Sequence, residues 1–246
     1  MELISVITPY YKKKFFIKEA VLSILGQTYS NLEIIIVYDD ESLDDLKYIK
    51  EIVALDKRIH LIINEKNIGA GLSRNLAIES SNGIYIAFLD SDDIWKENKI
   101  KEQVDFMKKN HSKISHTSYE IIDSNKNVTG KRIARNFNKI NDLLKSCDIG
   151  LSTVMIEKKI FTSECSFVNL KTKEDFTLWL KLLKQNYTIQ GLNSNLTYWR
   201  KSKKSLSTSI LQRLIDGYRV YYIHMNFNFF KSIYYLFCLS INFLKK

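Results

Sequence analysis

The chain has 246 residues, and its 37 Lys and Arg residues exceed its 27 Asp and Glu residues to give a formal net charge of +10. A hydrophobic content of 45% supplies a sizeable core and excludes an intrinsically disordered chain. The three cysteines stand far apart without a CxxC pair, which excludes a zinc ribbon and a disulfide framework.

The amino terminus places its apolar run, residues 3–7, before the lysines at 12–14. A secretory signal has the reverse order, with its basic residues first. We therefore expect a cytoplasmic protein.

In the first hundred residues short β-rich apolar runs alternate with helical patterns. The predicted strands cover 3–8, 33–37, 60–63 and 85–89, and the predicted helices cover 17–25, 43–54, 72–80 and 95–109. Several runs are apolar on both faces, as strands are when helices cover both sides of a sheet. The pattern predicts an α/β fold with one Rossmann-like mixed, mostly parallel sheet flanked by helices.

The second half is less regular and is expected to extend the same sheet. It contains a hairpin pattern from residue 115 around 124–127, a helical pattern at 141–146, a strand at 152–156 and a helix at 174–185. Pro9 is the only proline, so no linker announces a domain boundary.

The last thirty residues differ in composition, because no Asp or Glu follows Asp216 and aromatic residues crowd together. Apolar residues recur there at helical spacing and Lys245-Lys246 ends the chain, which predicts an amphipathic helical tail over 206–246. Lys231 interrupts the segment, so a transmembrane helix is not expected. The tail suits an anionic membrane surface, with packing on the preceding domain or in a homodimer as the alternative.

Unusual polar residues follow each of the four predicted strands. They are Thr8-Pro9-Tyr10-Tyr11, then Asp39-Asp40-Glu41, then Asn64 to Asn67 with Gly69, and finally Asp90-Ser91-Asp92-Asp93. One acidic loop is more often a solvated turn. Open α/β sheets bind ligands beyond the carboxyl ends of their strands, so four such turns predict a ligand site at that edge.

The DSDD segment has a definite chemical use. Asp90 and Asp92 can present carboxylate oxygens to Mg²⁺ or Mn²⁺, which typically bind one or two carboxylates together with substrate phosphates. Arg74, in the helix after Gly69, could bind a diphosphate or could be a surface arginine. There is no Walker A loop, and Arg74 occupies the last position of a would-be GxGxxG, so ATPase and dehydrogenase functions lose their support.

Five segments in order, SVITPYY, VYDDES, NIGAGLSRN, GIYIAFLDSDDIW and KEDFTLWL, resemble the family 2 glycosyltransferases with the GT-A fold. The resemblance covers about residues 2 to 205, which implies a GT-A domain over 1–205. It also implies an inverting enzyme that moves a sugar from a nucleotide diphosphate sugar, preferably a UDP-sugar, to a hydroxyl of a glycan or lipid-linked acceptor. Such reactions build lipopolysaccharide, capsule and other surface polysaccharides.

The resemblance assigns roles to residues of the donor site. Tyr11 and Asp39 are expected to contact the nucleotide base with Asp40 nearby, and Arg74 is expected to approach the diphosphate. Asp90 and Asp92 match the DxD motif, which holds the nucleotide sugar and Mn²⁺ or Mg²⁺. The remaining residues expected in this donor site are Thr8, Pro9, Asn67, Gly69 and Ser91.

On the acceptor side, Asp175 matches the catalytic base of the family. Glu174, Trp179 and Arg200 are expected to contact the acceptor, Arg200 with the diphosphate as an alternative. From the residues alone, Glu174 and Asp175 could simply favour a helix start, and Trp179 could be a core residue.

Lys12, Tyr38 and Glu41 depart from the usual family pattern, which leaves the preferred base and sugar open. Two other functions remain: a basic membrane- or nucleic-acid-binding protein that keeps this fold without catalysis, and a nucleotidyltransferase. A binder has no need of a base at Asp175, so no nucleic-acid partner is expected. A nucleotidyltransferase would show a glycine- and basic-rich loop after the first strand, where Pro9 and its tyrosines stand.

Overall fold

The computed structural model describes residues 1–201 and 209–244. Within these residues one mixed sheet contains β1 (Ile4–Tyr10), β2 (Leu32–Tyr38), β3 (Ile59–Ile63), β4 (Tyr85–Phe88), β5 (Ile94–Trp95), β6 (Ile114–Ile122), β7 (Val128–Arg132), β8 (Met155–Glu157) and β9 (Gln190–Arg200). The helices are α1 (Lys14–Leu25), α2 (Leu43–Val53), α3 (Ala70–Ser80), α4 (Lys99–Lys109), α5 (Glu174–Lys184), α6 (Ile210–Arg219) and α7 (Phe229–Leu244).

The strand order is β3-β2-β1-β4-β8-β6-β9-β5, and β7 pairs with β6. The first four strands in this order are parallel, and the chain changes direction across the sheet between β1 and β4. Beyond β4 most pairs are antiparallel, with β6–β9 parallel. The predicted mixed α/β sheet is confirmed, and its parallel part holds the switch point where open sheets bind ligands.

Two apolar cores lie on opposite faces of the sheet, because successive side chains of a strand point to opposite sides. Val6 joins the core covered by α1, α2 and α4. Ile7 joins the core covered by α3, α5 and the C-terminal helices. Every residue of β1 and β2 is buried, which accounts for the continuous apolar runs in the sequence.

The elements predicted for the first hundred residues are confirmed, with one larger shift at α4. That helix begins at Lys99 and not at residue 95, because Trp95 belongs to β5, which pairs with β9. The hairpin is confirmed as β6 and β7.

Two predictions in the second half are wrong in part, and one strand was missed. Residues 141–146 form a short 3₁₀ turn and loop instead of an α-helix, and β8 begins only at residue 155, after another 3₁₀ turn. The missed strand is β9, whose polar stretch at 193–195 hides its alternation. Its pairing with β6 shifts register beside that stretch.

The predicted C-terminal helix is confirmed as α7, preceded by α6 and a π-helical turn at Val220–His224. Val220, Tyr221 and Leu239 are buried in the same core as α5, so this segment packs on the rest of the protein. Lys245 and Lys246 lie outside the described residues, as does the predicted division between 205 and 206. Among the helices described, none has the length and apolar character needed to cross a membrane.

The same C-terminal segment also exposes many large apolar side chains, and we call this surface the C-terminal apolar face. Ring contacts of Tyr218 with Tyr222, at 5.2 Å, and with Phe229, at 6.4 Å, connect its helices. Its exposed members are Ile210, Leu211, Leu214, Ile215, Tyr222, Ile223, Phe229, Phe230, Ile233, Tyr234, Phe237 and Phe243.

Candidate active site

The four predicted polar turns meet at the carboxyl edge of the parallel strands, and the start of α5 joins them. Three long-range ion pairs make this convergence visible. Lys13, after β1, contacts Asp92, after β4. Arg74 of α3 contacts both Asp90 and Glu174, the first residue of α5.

Asp39 shapes the loop between β3 and α3. Its buried carboxylate accepts hydrogen bonds from Asn64 Nδ2 at 2.7 Å, from the Ile68 N–H at 2.8 Å and from the Gly69 N–H at 2.8 Å. Gly69 has a φ of +88°, which an L side chain rarely adopts. Asn67 donates to the Asp39 carbonyl at 2.7 Å. A carboxylate has about four acceptor positions, so the expected contact of Asp39 with a base stays a prediction.

Asp40 ties the turn after β1 to the end of β2, because its carboxylate accepts from the Lys12 N–H at 2.9 Å and the Glu41 N–H at 2.8 Å. Lys12 has a left-handed backbone, φ +53°, the region in which asparagine is enriched among non-glycine residues. The Lys12 ammonium lies 4.9 Å from the centre of the Tyr11 ring. The part-exposed Tyr11 therefore lies at the surface of the site, and its expected contact with the base stays a prediction.

Thr8, Pro9 and Ser91 are buried, and they lie beneath the surface of the site. Tyr38, one of the departures from the family pattern, is also buried and stacks on Tyr10 with ring centres 5.4 Å apart. Burial raises the pKa of Tyr38 to about 12. The bulky residue therefore belongs to the packing under the site, and donor contacts of Thr8, Pro9 and Ser91 stay predictions.

The DxD carboxylates both pair with cations of the protein. Arg74 donates to Asp90 Oδ1 at 2.6 Å, and Lys13 Nζ lies 2.5 Å from Asp92 Oδ2. Burial raises the pKa of Asp92 against the opposing effect of Lys13, and burial with two neighbouring aspartates raises that of Asp93 strongly. Negative charge is therefore crowded at this point, and a bound cation would relieve it.

Asp93 is a supporting residue that the sequence did not single out. It is buried, accepts from Ser152 Oγ at 2.5 Å and from the Arg200 N–H at 2.8 Å, and so fixes the turn that carries Asp90 and Asp92. Its place next to the DxD motif was the only signal, because both partners are remote in sequence.

Asp90 and Asp92 fit a hard divalent ion. Arg74 contacts one oxygen of the Asp90 carboxylate, and Lys13 contacts one oxygen of the Asp92 carboxylate. The side chain of Asp90 is 34% exposed. In residues 1–201 and 209–244 no group of three or more His, Cys, Asp and Glu side chains could hold a metal. These two aspartates would therefore need diphosphate oxygens to complete the shell, as Mg²⁺ commonly does.

Glu174 and Asp175 begin α5, directly beside the DxD motif. Arg74 donates to Glu174 Oε1 at 2.8 Å, with only 4% of its side chain exposed, so it is not a surface arginine. Burial and the neighbouring Asp175 raise the pKa of Glu174 to about 7, although Arg74 opposes the shift. Burial also raises the pKa of Asp175. A carboxyl group with a raised pKa is a better proton acceptor near neutral pH.

Two acceptor-side predictions are corrected. Trp179 is fully buried in the core with α3 and α5, so its ring is not an acceptor platform. Arg200 has 1% of its side chain exposed and donates to Glu19 Oε2 and to the Asp92 carbonyl, both at 2.8 Å. Its guanidinium is thus buried and supports the DxD turn from the interior of the protein.

The profile of the family described as Glycosyl transferase family 2 matches residues 5–161, more than half of the chain. Two Escherichia coli relatives, each named UDP-Glc:alpha-D-GlcNAc-diphosphoundecaprenol beta-1,3-glucosyltransferase, are similar to it. WfgD is 38% identical over 215 residues, 86% of this chain and 82% of WfgD. WfaP is 38% identical over 217 residues, 87% of this chain and 84% of WfaP.

Among solved structures, the crystal structure of S. aureus TarS 1-349 in complex with UDP-GlcNAc matches with a TM-score of 0.75 at 22% identity. The match covers 91% of this chain and 65% of the crystallised TarS 1-349 chain, so this chain spans a little less than two thirds of that fragment. At this identity the likeness shows the fold, which is GT-A.

Proposed function

The chain belongs to glycosyl transferase family 2, and from this premise we propose that it transfers a sugar from a UDP-sugar to a hydroxyl of a lipid-linked glycan during synthesis of a bacterial surface polysaccharide. The observation that carries the proposal is the position of Asp175. This carboxylate has a raised pKa and belongs to the second residue of α5, whose first residue, Glu174, shares Arg74 with the DxD motif. The names of WfgD and WfaP support the donor and acceptor classes.

In the proposed reaction, Asp175 accepts the proton of the acceptor hydroxyl while that oxygen attacks the anomeric carbon. The new carbon–oxygen bond forms as the bond to the diphosphate breaks, and the diphosphate leaves with the bonding electrons. One displacement inverts the anomeric configuration. A positioned base of this kind typically contributes a factor of about 10² to 10⁴.

Asp90 and Asp92 would hold Mn²⁺ or Mg²⁺, which when bound would neutralise charge on the leaving diphosphate. Around this position, Arg74 holds Asp90 and Glu174 together, and Asp93 and Arg200 hold the turn that carries both aspartates. The protein thus fixes the carboxylates before a donor arrives, which reduces reorganisation during the reaction.

The test is donor binding by calorimetry with UDP-glucose and UDP-GlcNAc, with Mn²⁺ or with chelator, followed by transfer to a polyprenyl-diphosphate-linked GlcNAc. Asp175→Asn should keep donor affinity within a few-fold and lose transfer by about 10² or more. Asp105→Asn, which changes an exposed aspartate of α4, is the matched control. Near-native transfer by Asp175→Asn would place the base elsewhere, and absence of binding to any nucleotide sugar would overturn the proposal.

We also propose that the protein is cytoplasmic and docks on the inner face of the membrane through the C-terminal apolar face. The exposed cations Arg219 and Lys231 accompany this face, and no acidic residue follows Asp216. These charges suit an anionic bilayer, where each basic residue contributes about 1 kcal/mol near the surface. Docking would bring the site to a lipid-linked acceptor.

Sedimentation with phosphatidylglycerol liposomes at low salt tests the docking. Wild type and Leu55→Glu, a change at an exposed apolar residue outside the face, should sediment, and Phe230→Glu with Phe237→Glu should not. Deleting the whole segment would be a poor test, since Val220 and Tyr221 belong to the core. If the wild type stays in the supernatant as a dimer, the face is a subunit interface.

A further inference from the structure

The C-terminal helix α6 contacts the segment that leads into the catalytic end of α5. We call residues 167–173 the approach segment. Asp216 of α6 is completely buried, and its Oδ2 accepts hydrogen bonds from the N–H and the Oγ1 of Thr172, both at 3.0 Å. A carboxylate that accepts two bonds from one residue fixes that residue in position and orientation.

Directly after Thr172 the chain makes the turn that starts α5. Lys173 has a left-handed backbone, φ +68° and ψ +12°, which a residue with a side chain adopts only when its surroundings enforce it. The Lys173 carbonyl then accepts from the N–H of Thr177 at 2.9 Å and from its Oγ1 at 2.8 Å. The turn sets the direction of the first helical residues, Glu174 and Asp175.

The other end of the approach segment is held by α3. Asn75 donates to the Phe167 carbonyl at 2.9 Å and accepts from the Phe167 N–H at 3.1 Å. Gly71 also belongs to α3, and a Cβ at this position would lie 2.8 Å from the Val168 carbonyl oxygen. The approach segment is therefore held at two points. Helix α3, in the donor half of the protein, holds one end, and Asp216 of the C-terminal helices holds the other; we call this second contact the Asp216 brace.

Asp216 has two further contacts within α6. Gln212 Nε2 donates to its Oδ2 at 2.9 Å from one turn earlier in α6, and Arg219 lies 3.7 Å from its Oδ1. The next residue, Gly217, allows α6 to approach α7, because a Cβ there would lie 2.8 Å from Leu236 Cδ1. The packing of α6 against α7 therefore sets the position of Thr172.

We propose that Asp216 is a positioning residue for the transfer reaction: through Thr172 it holds the strained turn at Lys173 and thereby aims the Asp175 carboxylate at the acceptor. Asp216 touches neither substrate nor reacting atoms. The inference rests on the proposed role of Asp175, and it gives the C-terminal helices a part in catalysis besides docking.

The first test separates positioning from stability. Asp216→Asn should lower kcat for transfer about tenfold while the Kd of the UDP-sugar stays within twofold, because the donor contacts lie on the other loops. Leu239→Ala removes a core side chain of α7 and leaves both hydrogen bonds from Thr172 to Asp216 in place, and at a temperature where it stays folded it should keep kcat near that of the wild type. Native kcat in Asp216→Asn, or an equal loss in Leu239→Ala, would overturn the proposal.

A second pair of variants serves if Asp216→Asn does not fold. Thr172→Val removes the hydroxyl bond and should lower kcat, whereas Thr172→Ser restores the hydroxyl and should rescue it; equal rates would overturn the proposal. Hydrogen exchange without substrate is independent of activity. Amides at 174–178 should exchange several-fold faster in Thr172→Val, and those of β1 should not change. If the wild type transfers no sugar, the proposed function fails, and the exchange result still decides whether the brace exists.

Discussion

The two acidic pairs at the carboxyl edge of the sheet are stabilised in different ways. Asp39 and Asp40 accept hydrogen bonds from backbone and amide N–H groups. Asp90 and Asp92 instead pair with the cations Arg74 and Lys13. We call them the amide-held pair and the cation-held pair.

This difference separates carboxylates that hold the shape of the site from carboxylates that are suited to take part in the reaction. Backbone and amide N–H groups cannot leave without disrupting the loops that carry them, so the amide-held pair belongs to the frame that shapes these loops. A side-chain cation can be exchanged for another cation, so the cation-held pair is suited to take up a metal ion. The five predictions below test this distinction, from the largest expected effect to the smallest.

Asp39→Ala should lower the free energy of unfolding by about 4 kcal/mol, because it removes a buried charged acceptor and leaves its donors unpaired. Urea denaturation followed by circular dichroism measures the change. Glu41→Ala, at an exposed neighbour, should have little effect. A loss below about 1 kcal/mol in Asp39→Ala would mean that the amide-held pair is not part of the frame.

Asp92→Asn should weaken UDP-sugar binding in Mn²⁺ about 50-fold and change stability little, because it removes a ligand of the ion without removing volume. Calorimetry with and without chelator measures the affinity for the UDP-sugar in the absence and in the presence of the metal ion. In chelator, the variant and the wild type should bind equally weakly. Unaltered affinity in Mn²⁺ would remove Asp92 from the metal site.

The transfer rate should fall about tenfold per pH unit below pH 7, because Glu174, with a pKa of about 7, must be ionised to hold Arg74. Lowering the pH protonates Glu174 and releases this contact. In Glu174→Gln the limb near pH 7 should disappear and the rate at pH 8 should be reduced. A pH–rate profile of kcat in the wild type and in Glu174→Gln tests this prediction. If the limb near pH 7 is unchanged in the variant, another group produces it.

Glu174 also affects stability, with the opposite dependence on pH. Its folded pKa lies above its ordinary value of 4.5, so its contribution is present below about pH 4.5 and is lost as the pH rises through about 7. Thermal unfolding between pH 4.5 and 7 should therefore show a smaller decrease in Glu174→Gln than in the wild type.

Lys13→Met should raise the affinity for Mn²⁺ in the absence of donor about fivefold, because the ammonium no longer competes for Asp92. Titration of free Mn²⁺ by electron paramagnetic resonance measures this. Lys12→Met is the matched control, since its side chain lies over Tyr11 and not at Asp92. Equal affinity in Lys13→Met and wild type would show that Lys13 does not compete with the ion.

Much of the fold and the outline of the site could be predicted from local patterns. The strands β1 to β4 have strong apolar runs, and their ends carry the polar turns that the parallel arrangement brings together. The partners of those turns could not be predicted, because tertiary packing chooses them. Lys13 and Asp92 are 79 residues apart, and Arg200 and Glu19 are 181 apart.

The acceptor side was harder to predict for a second reason. Trp179 and Arg200 are residue types that often contact sugars and phosphates, and only burial showed that both serve the interior. The β9 strand that carries Arg200 has no clear alternation, so the residue had no predicted element to place it.

The brace at Asp216 has a consequence for how the enzyme is made. During translation the N-terminal part of a chain emerges and folds first. The donor-side carboxylates precede Asp93 in sequence, whereas Asp216 follows Asp175 by 41 residues. The contacts that hold the donor half extend to Arg200, so a nascent chain can complete them before Asp216, which follows later in the sequence, holds the turn that aims Asp175. Such an intermediate would bind a sugar nucleotide without efficient transfer, so the enzyme would acquire ligand affinity earlier in its synthesis than catalytic power.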